Sequence, residues 1–256
     1  MVIFGISAWS LLDILVLTPL KIKNEVKDVQ EIYTYPENNS EEDQQNENLK
    51  KLQEINPEIC GWIKIDDTNI DYPVLYKAGD TDYYLSHNYK KENSRYGSIT
   101  VDAHCTDGVK SKNVILHGHH MKDGQMFANL MKFGDVSFCQ NHQIIRFDTF
   151  EQNGLWKVFA VFKASTIPEQ GEVFNYYITK FSNKIDFNKY IKEIRKRSLI
   201  DFPIDVKYSD RLLTLSTCSY EKKGFRTVVM ARKLRKNESL NANLDQIKAA
   251  DSPIMP

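Results

Sequence analysis

A chain of 256 residues can hold one domain of ordinary size with tails, and two would be cramped. Hydrophobic residues at 41% and charged residues at 27% describe a globular protein, and 34 basic residues cancel 34 acidic ones. That neutrality removes any whole-molecule argument for a nucleic-acid partner, and four scattered cysteines without a Cys-x-x-Cys pair give no sign of a disulfide framework or a zinc ribbon.

Residues 1–20 are almost all apolar, interrupted by Ser7, Ser10 and Asp13 and closed by Pro19 ahead of Lys21 and Lys23. The run has the length of a short bilayer span, so a single-pass membrane anchor is expected there. Asp13 near its middle and the lack of preceding basic residues leave a cleaved signal peptide and a packed helix as rivals. Residues 21–47, rich in Glu, Asp, Asn and Gln, read as a polar, solvated spacer, which is extracellular if residues 1–20 are the anchor. A catalytic domain is expected over residues 48–234. It opens with a short helix, Asn48–Ile55, which Asn56-Pro57 closes.

Strands follow at Gly61–Ile65, at Ile70–Leu75 and at Gly97–Val101, with Pro73 marking an edge or a bulge in the second. Asn113–His117 is a buried-type strand that runs into Gly118-His119-His120. Gln125–Phe133 has the spacing of a short amphipathic helix. Gln143–Phe150 and Leu155–Lys163 alternate as strands around the turn Gln152-Asn153-Gly154, and Phe187–Leu199 is a helix with a basic exposed face. Residues 235–256 form a polar tail, expected to be disordered or loosely docked. Many short strands with only a few short helices make the fold mainly β, a closed barrel or a sandwich.

The most informative stretch is Arg211 to Arg232. Arg211–Thr217 alternates as a strand with one buried face and ends at Cys218; Ser219 to Gly224 is a polar loop; Phe225 to Arg232 resumes the strand. A hairpin brings its ends together, so Cys218 and Arg226 should face each other, and a guanidinium beside a thiol favours the anion. Nucleophilic attack at a carbonyl needs a thiolate, a proton donor for the leaving amine and a site for the oxyanion. Cys218, His119 and Arg226 supply one of each. Ser216, two residues back on the same strand face, is placed to line the cleft. His117 and His119 could instead share a metal ion with His104 and Cys105, although these spacings match no standard site. For His117 and His120 ordinary packing is the preferred reading.

Thr214-Leu215-Ser216-Thr217-Cys218, with Arg226 downstream, resembles the Thr-Leu-x-Thr-Cys signature of sortases. Leu116-His117-Gly118-His119-His120-Met121 with Met126-Phe127 is similar to a segment of the class B members. The resemblance covers roughly residues 48–234. It implies a closed eight-stranded sortase-type β-barrel with a few short peripheral helices, held by a single-pass anchor outside a Gram-positive cell membrane, and no cofactor or metal. It also implies a cysteine transpeptidase in which Cys218 attacks a sorting signal after Thr, His119 is the general acid/base and Arg226 stabilises the oxyanion.

The partners implied are surface proteins with signals like Asn-Pro-x-Thr-Asn or Ser-Pro-x-Thr-Gly, and a peptidoglycan precursor amine as acceptor. Leu85, Tyr177, Ile178 and Ser216 match groove positions. His117 stands where the family usually has tyrosine, and Thr81 where it has a groove asparagine. The alternatives are a cysteine hydrolase without transpeptidation, a metal-binding surface protein using the His117/His119 cluster, and a pseudoenzyme that binds signals without turnover.

Overall fold

Eight of the strands close on themselves: β1 (Ile59–Lys64), β2 (Asp71–Leu75), β3 (Ile99–Val101), β4 (Asn113–His117), β5 (Ile144–Thr149), β6 (Leu155–Ser165), β8 (Leu212–Cys218) and β9 (Phe225–Lys233). The computed structural model describes residues 9, 12, 16–33, 41–150, 154–240 and 243–256, without the side chains of 41–46. The barrel order is β1-β2-β3-β4-β8-β9-β6-β5, and the short β7 (Ile200–Asp201) and β10 (Lys248–Ala249) pair separately. Pro73, which has no N–H to give, sits opposite Trp62 of β1, while β3 joins β2 only from Val74 onward. The proline therefore interrupts no ladder on its other side.

Two pairings matter most for the site. β4 and β8 run parallel with His117 opposite Ser216, and β8 and β9 form an antiparallel hairpin with Cys218 opposite Arg226. Parallel strands finish at the same rim, so the chain leaving β4 at Gly118-His119 emerges beside Cys218.

Alternation then sorts the side chains. Met230 of β9 meets Tyr190 of the peripheral helix Lys184–Arg197, so Arg226, Val228 and Met230 look outward. Cys218 and Ser216 share that outer face by register, while Thr217 and Thr227 look into the barrel. Inside and around it, Trp62, Trp156, Phe147, Val161, Leu215 and Val229 are fully buried.

The peripheral helices are α1 (Thr18–Ile32), α2 (Glu41–Ile55), α3 (Asp82–Leu85), α4 (Val136–Asn141) and α5 (Lys184–Arg197). The polar segment read as a spacer over residues 21–47 contains most of α1 and the start of α2. Ile22, Val26, Val29 and Tyr33 form a stripe on α1 that packs on the barrel wall. Tyr33 stacks on Trp62 with ring centroids 4.5 Å apart, and its hydroxyl donates to Asp148 at 3.0 Å. Such a stacked pair is worth about 1 kcal/mol beyond its burial.

The anchor expected over residues 1–20 falls mostly outside the described residues. Among those described, no helix is long and apolar enough to cross a membrane. The segment's end instead enters α1, where Lys21, Lys23, Glu25, Lys27, Asp28 and Glu31 alternate with the barrel-facing stripe. The single-pass, membrane-held placement is thus overturned.

Two further elements differ from expectation. The helix expected at Gln125–Phe133 is a shorter 3-10 helix, Ala128–Gly134, because Met126 takes a left-handed backbone (φ 56°) to pair back with His120. The C-terminal tail is docked. Ile247 is buried, Lys248–Ala249 pairs with Ile200–Asp201, and the Ile254 N–H donates to Lys196 O at 2.8 Å. Buried Arg232 holds Glu238 through two bonds of 2.7 and 2.6 Å.

Candidate active site

The last residue of β8 and the second residue of β9 meet on the outer face of the barrel. Arg226 Nη1 donates to Cys218 Sγ at 2.9 Å. Cys218 is half-buried and so is Cys60, but the Cys60 thiol is turned onto Val74 O; burial pushes the Cys60 and Cys139 thiols up to about 12 and that of Cys105 to about 11. Cys218 is therefore the cysteine with a cationic neighbour and access to solvent.

Gly118 allows the turn from β4 to His119: a side-chain carbon there would come within 2.5 Å of Ile99 and 2.9 Å of Phe127. Its carbonyl accepts from the Thr217 hydroxyl at 2.8 Å, which ties the two rim segments together. His119 Nε2 lies 2.7 Å from Leu85 O. A carbonyl only accepts, so Nε2 carries a proton, and in the neutral ring the lone pair is on Nδ1. The imidazole is thus held by Leu85 and not by the thiol. Leu85 is itself fixed where α3 ends against Gly97, whose φ of 58° and missing side chain let the chain press on the Leu85 carbonyl.

His120, expected only to pack, bonds the backbone of Cys218: Nδ1 donates to Cys218 O at 3.0 Å. Its ring lies 4.6 Å from that of Tyr220, and the Tyr220 hydroxyl donates to His120 O. The adjacent His-His pair in the sequence was the available sign of this second role. His117 also has a definite partner. It contacts Asp102 Oδ2 at 2.6 Å, and His104 contacts Oδ1 of the same carboxylate at 2.6 Å. Burial alone would raise the Asp102 pKa, but the bonds from the two imidazoles outweigh it and hold the carboxyl below its usual range. His117 and His119 are thus engaged by different partners, and among the described residues no group of three or more His, Cys, Asp or Glu is arranged to hold a metal ion.

The groove candidates divide. Ser216 is buried, and its hydroxyl is bonded to Tyr176 OH at 2.9 Å, not turned free into a cleft. Tyr176 OH in turn donates to Tyr177 OH at 2.9 Å. The Tyr177 ring stacks on Tyr176 at 4.3 Å and lies 5.9 Å from the His117 ring. Ser216, Tyr176, Tyr177 and His117 therefore make one wall beside Cys218. Ile178 sits further off, its carbonyl accepting from Asn113 at the start of β4 at 2.9 Å. The Thr81 hydroxyl is occupied by the Ala103 N–H at 2.7 Å.

A partly exposed thiol in contact with a guanidinium, beside a histidine of fixed tautomer, is equipped for acyl transfer through a covalent thioester. Comparison with known proteins agrees. The family model described as "Sortase domain" matches residues 63–234. The curated Sortase B of Listeria monocytogenes serovar 1/2a is 40% identical over 174 residues, 68% of each chain. A solved Staphylococcus aureus sortase B-substrate complex superposes with a TM-score of 0.74 at 30% identity, covering 86% of this chain and 99% of that one. A sortase B complexed with triglycine gives 0.73 at 30% identity, covering 85% and 99%.

Proposed function

Because the chain belongs to the sortase family, as a cysteine transpeptidase of the class B type, we propose that Cys218 is its nucleophile, His119 its general acid/base and Arg226 its oxyanion donor. The 2.9 Å contact between Arg226 and the thiol carries this assignment, since it sets a charged donor beside the sulfur that bears negative charge as the first half-reaction begins and as the second ends.

In the first half-reaction the Cys218 sulfur attacks the carbonyl carbon of the signal's Thr, and the thiol proton passes to His119. Arg226 stabilises the oxyanion. When the C–N bond breaks, His119 returns the proton to the leaving amine and a thioester remains. In the second half-reaction an incoming amine gives its proton to His119 and attacks the thioester. Collapse of that intermediate forms a new amide and restores the thiol. With Nε2 committed to Leu85 O, the nitrogen that exchanges the proton is Nδ1.

Leu85, Ser216, Tyr177 and Ile178 frame the groove in this reading, Ser216 acting through Tyr176, and residues 48–234 form the catalytic domain. The substrates are proteins carrying signals like Asn-Pro-x-Thr-Asn or Ser-Pro-x-Thr-Gly. The acceptor is a cell-wall precursor amine, supported by the structural relatives solved as a substrate complex and with triglycine. Incubation with a set of signal peptides, with and without triglycine, tests the proposal. The native protein should cleave after Thr and ligate the amine, and the folded Cys218→Ala variant should do neither. Cleavage by that variant, or release to water that triglycine leaves unchanged, would sink it.

A further inference from the structure

We infer that Lys163, buried in the barrel mouth, is a positioning residue for the Cys218–Arg226 pair. The inference rests on the roles just proposed for those two residues. Lys163 of β6 is paired with Thr227 of β9, which is paired with Thr217 of β8. These three share the inner face of the sheet, while Ala164, Arg226 and Cys218 share the outer one. Lys163 therefore sits directly behind the reactive pair, one residue out of phase with it.

Its ammonium has three donors, and three acceptors meet them: Thr227 Oγ1 at 2.9 Å, Glu221 Oε1 at 2.9 Å and Ser219 Oγ at 3.5 Å. All three belong to one hairpin. Ser219 follows Cys218, Thr227 follows Arg226, and Glu221 lies in the loop between them. A lysine only 9% exposed costs desolvation that an apolar residue in the same place would avoid. What it supplies is a tie across the two strand ends and the loop at once. The neighbouring inner-face hydroxyls extend that tie: Thr227 donates to Met131 Sδ at 3.0 Å and Thr217 to Gly118 O at 2.8 Å, next to His119. Cys218 and Arg226 are thus backed from the reverse side of the sheet by one polar cluster, and the Thr217 bond ties the same hairpin to the segment that carries His119. Lys163 gives its charge to the hairpin from the face of the sheet opposite Cys218 and Arg226.

The test uses the full chain with Lys163→Met, which keeps the stem and removes the ammonium, Lys163→Arg, which restores a charged donor, and Glu221→Gln on the exposed loop. Misplacement of reacting groups by a fraction of an ångström lowers turnover more than binding. Lys163→Met should therefore lose about 10-fold or more in kcat with KM within about threefold. Alkylation of Cys218 by iodoacetamide, a readout that needs no substrate, should slow at neutral pH as Arg226 loosens from the sulfur. Lys163→Arg should recover most of both, and Glu221→Gln should lose about threefold of each, as expected for one weakened charge-assisted bond. Native kcat and alkylation rate in Lys163→Met overturn the inference, as does a loss in kcat and KM together that follows a fall in Tm. If Lys163→Met fails to fold, an unchanged alkylation rate in Glu221→Gln overturns it instead. Absence of cleavage by the native protein would count against the proposed function and leave the alkylation comparison to judge Lys163.

Discussion

Replacing Arg226 by alanine removes a charged side chain in contact with the Cys218 sulfur, and the expected loss can be worked from that contact. At 2.9 Å the Nη1–Sγ bond is within hydrogen-bonding range of a charged donor, and such bonds contribute about 1.5–3 kcal/mol. If the same guanidinium serves the oxyanion, its removal costs about 3–4 kcal/mol in the transition state. At about 1.4 kcal/mol per decade, kcat should fall between roughly 100- and 1000-fold.

The side chain lies on the outer face at the start of β9, so the barrel should keep its melting temperature within a few degrees (about ±0.5 kcal/mol for a substitution away from the core). Arg226→Lys keeps the charge but has one flexible ammonium in place of a planar fork, and should lose about 10-fold. Steady-state cleavage of a fluorogenic signal peptide with triglycine present gives kcat and KM; rapid quenching gives thioester accumulation. A variant within threefold of the native kcat would refute the role. So would a loss confined to KM.

Two other outcomes follow from the electrostatics already described. Iodoacetamide at neutral pH should add one group per native chain, at Cys218, and four after denaturation, because burial raises Cys60, Cys105 and Cys139 to between about 11 and 12; intact mass before and after denaturation reads this directly. The bond from Arg232 holds Glu238 down to about 2 from 4.5. A depressed carboxyl stabilises the fold above its unfolded value, and that contribution is lost as pH falls from about 4.5 towards 2. The shift corresponds to about 3 kcal/mol, or about 2 after discounting for partial exposure. Glu238→Gln should therefore melt well below the native protein at pH 7, with the gap narrowing as the pH drops to 3; a constant gap would show that the pair contributes nothing through charge.

The strands and the hairpin around Cys218 were legible because period-2 alternation and a polar loop are local signals. Arg226 was placed by the same geometry. His120, Tyr176 and Lys163 were not, because their partners lie 98, 40 and 56 to 64 residues away; only the His119-His120 pair hinted at one of them, and nothing in the immediate surroundings of Tyr176 and Lys163 marks the other two. Asp102 was missed for a related reason: a lone acidic residue between Val101 and Ala103 gives no hint that two histidines converge on it. The membrane reading of residues 1–20 followed composition. The spacing of Ile22, Val26, Val29 and Tyr33, a helical stripe diluted by eight residues of mostly charged and polar sequence, was the better guide to what comes next. The position of Ser216 was right in register, yet alternation cannot reveal that Tyr176 already occupies its hydroxyl.

The parallel pairing of β4 with β8 also sets the order in which chemistry becomes available during synthesis. Strands that run the same way cannot be neighbours through a tight turn, and here 94 residues separate the end of β4 from the start of β8. The strand that leads into His119 is therefore made long before the one that ends at Cys218. A growing chain released through β8 alone carries the cysteine without its guanidinium, which arrives only with the next strand. On the roles proposed above, competence to form a thioester belongs to the finished barrel and not to any shorter chain.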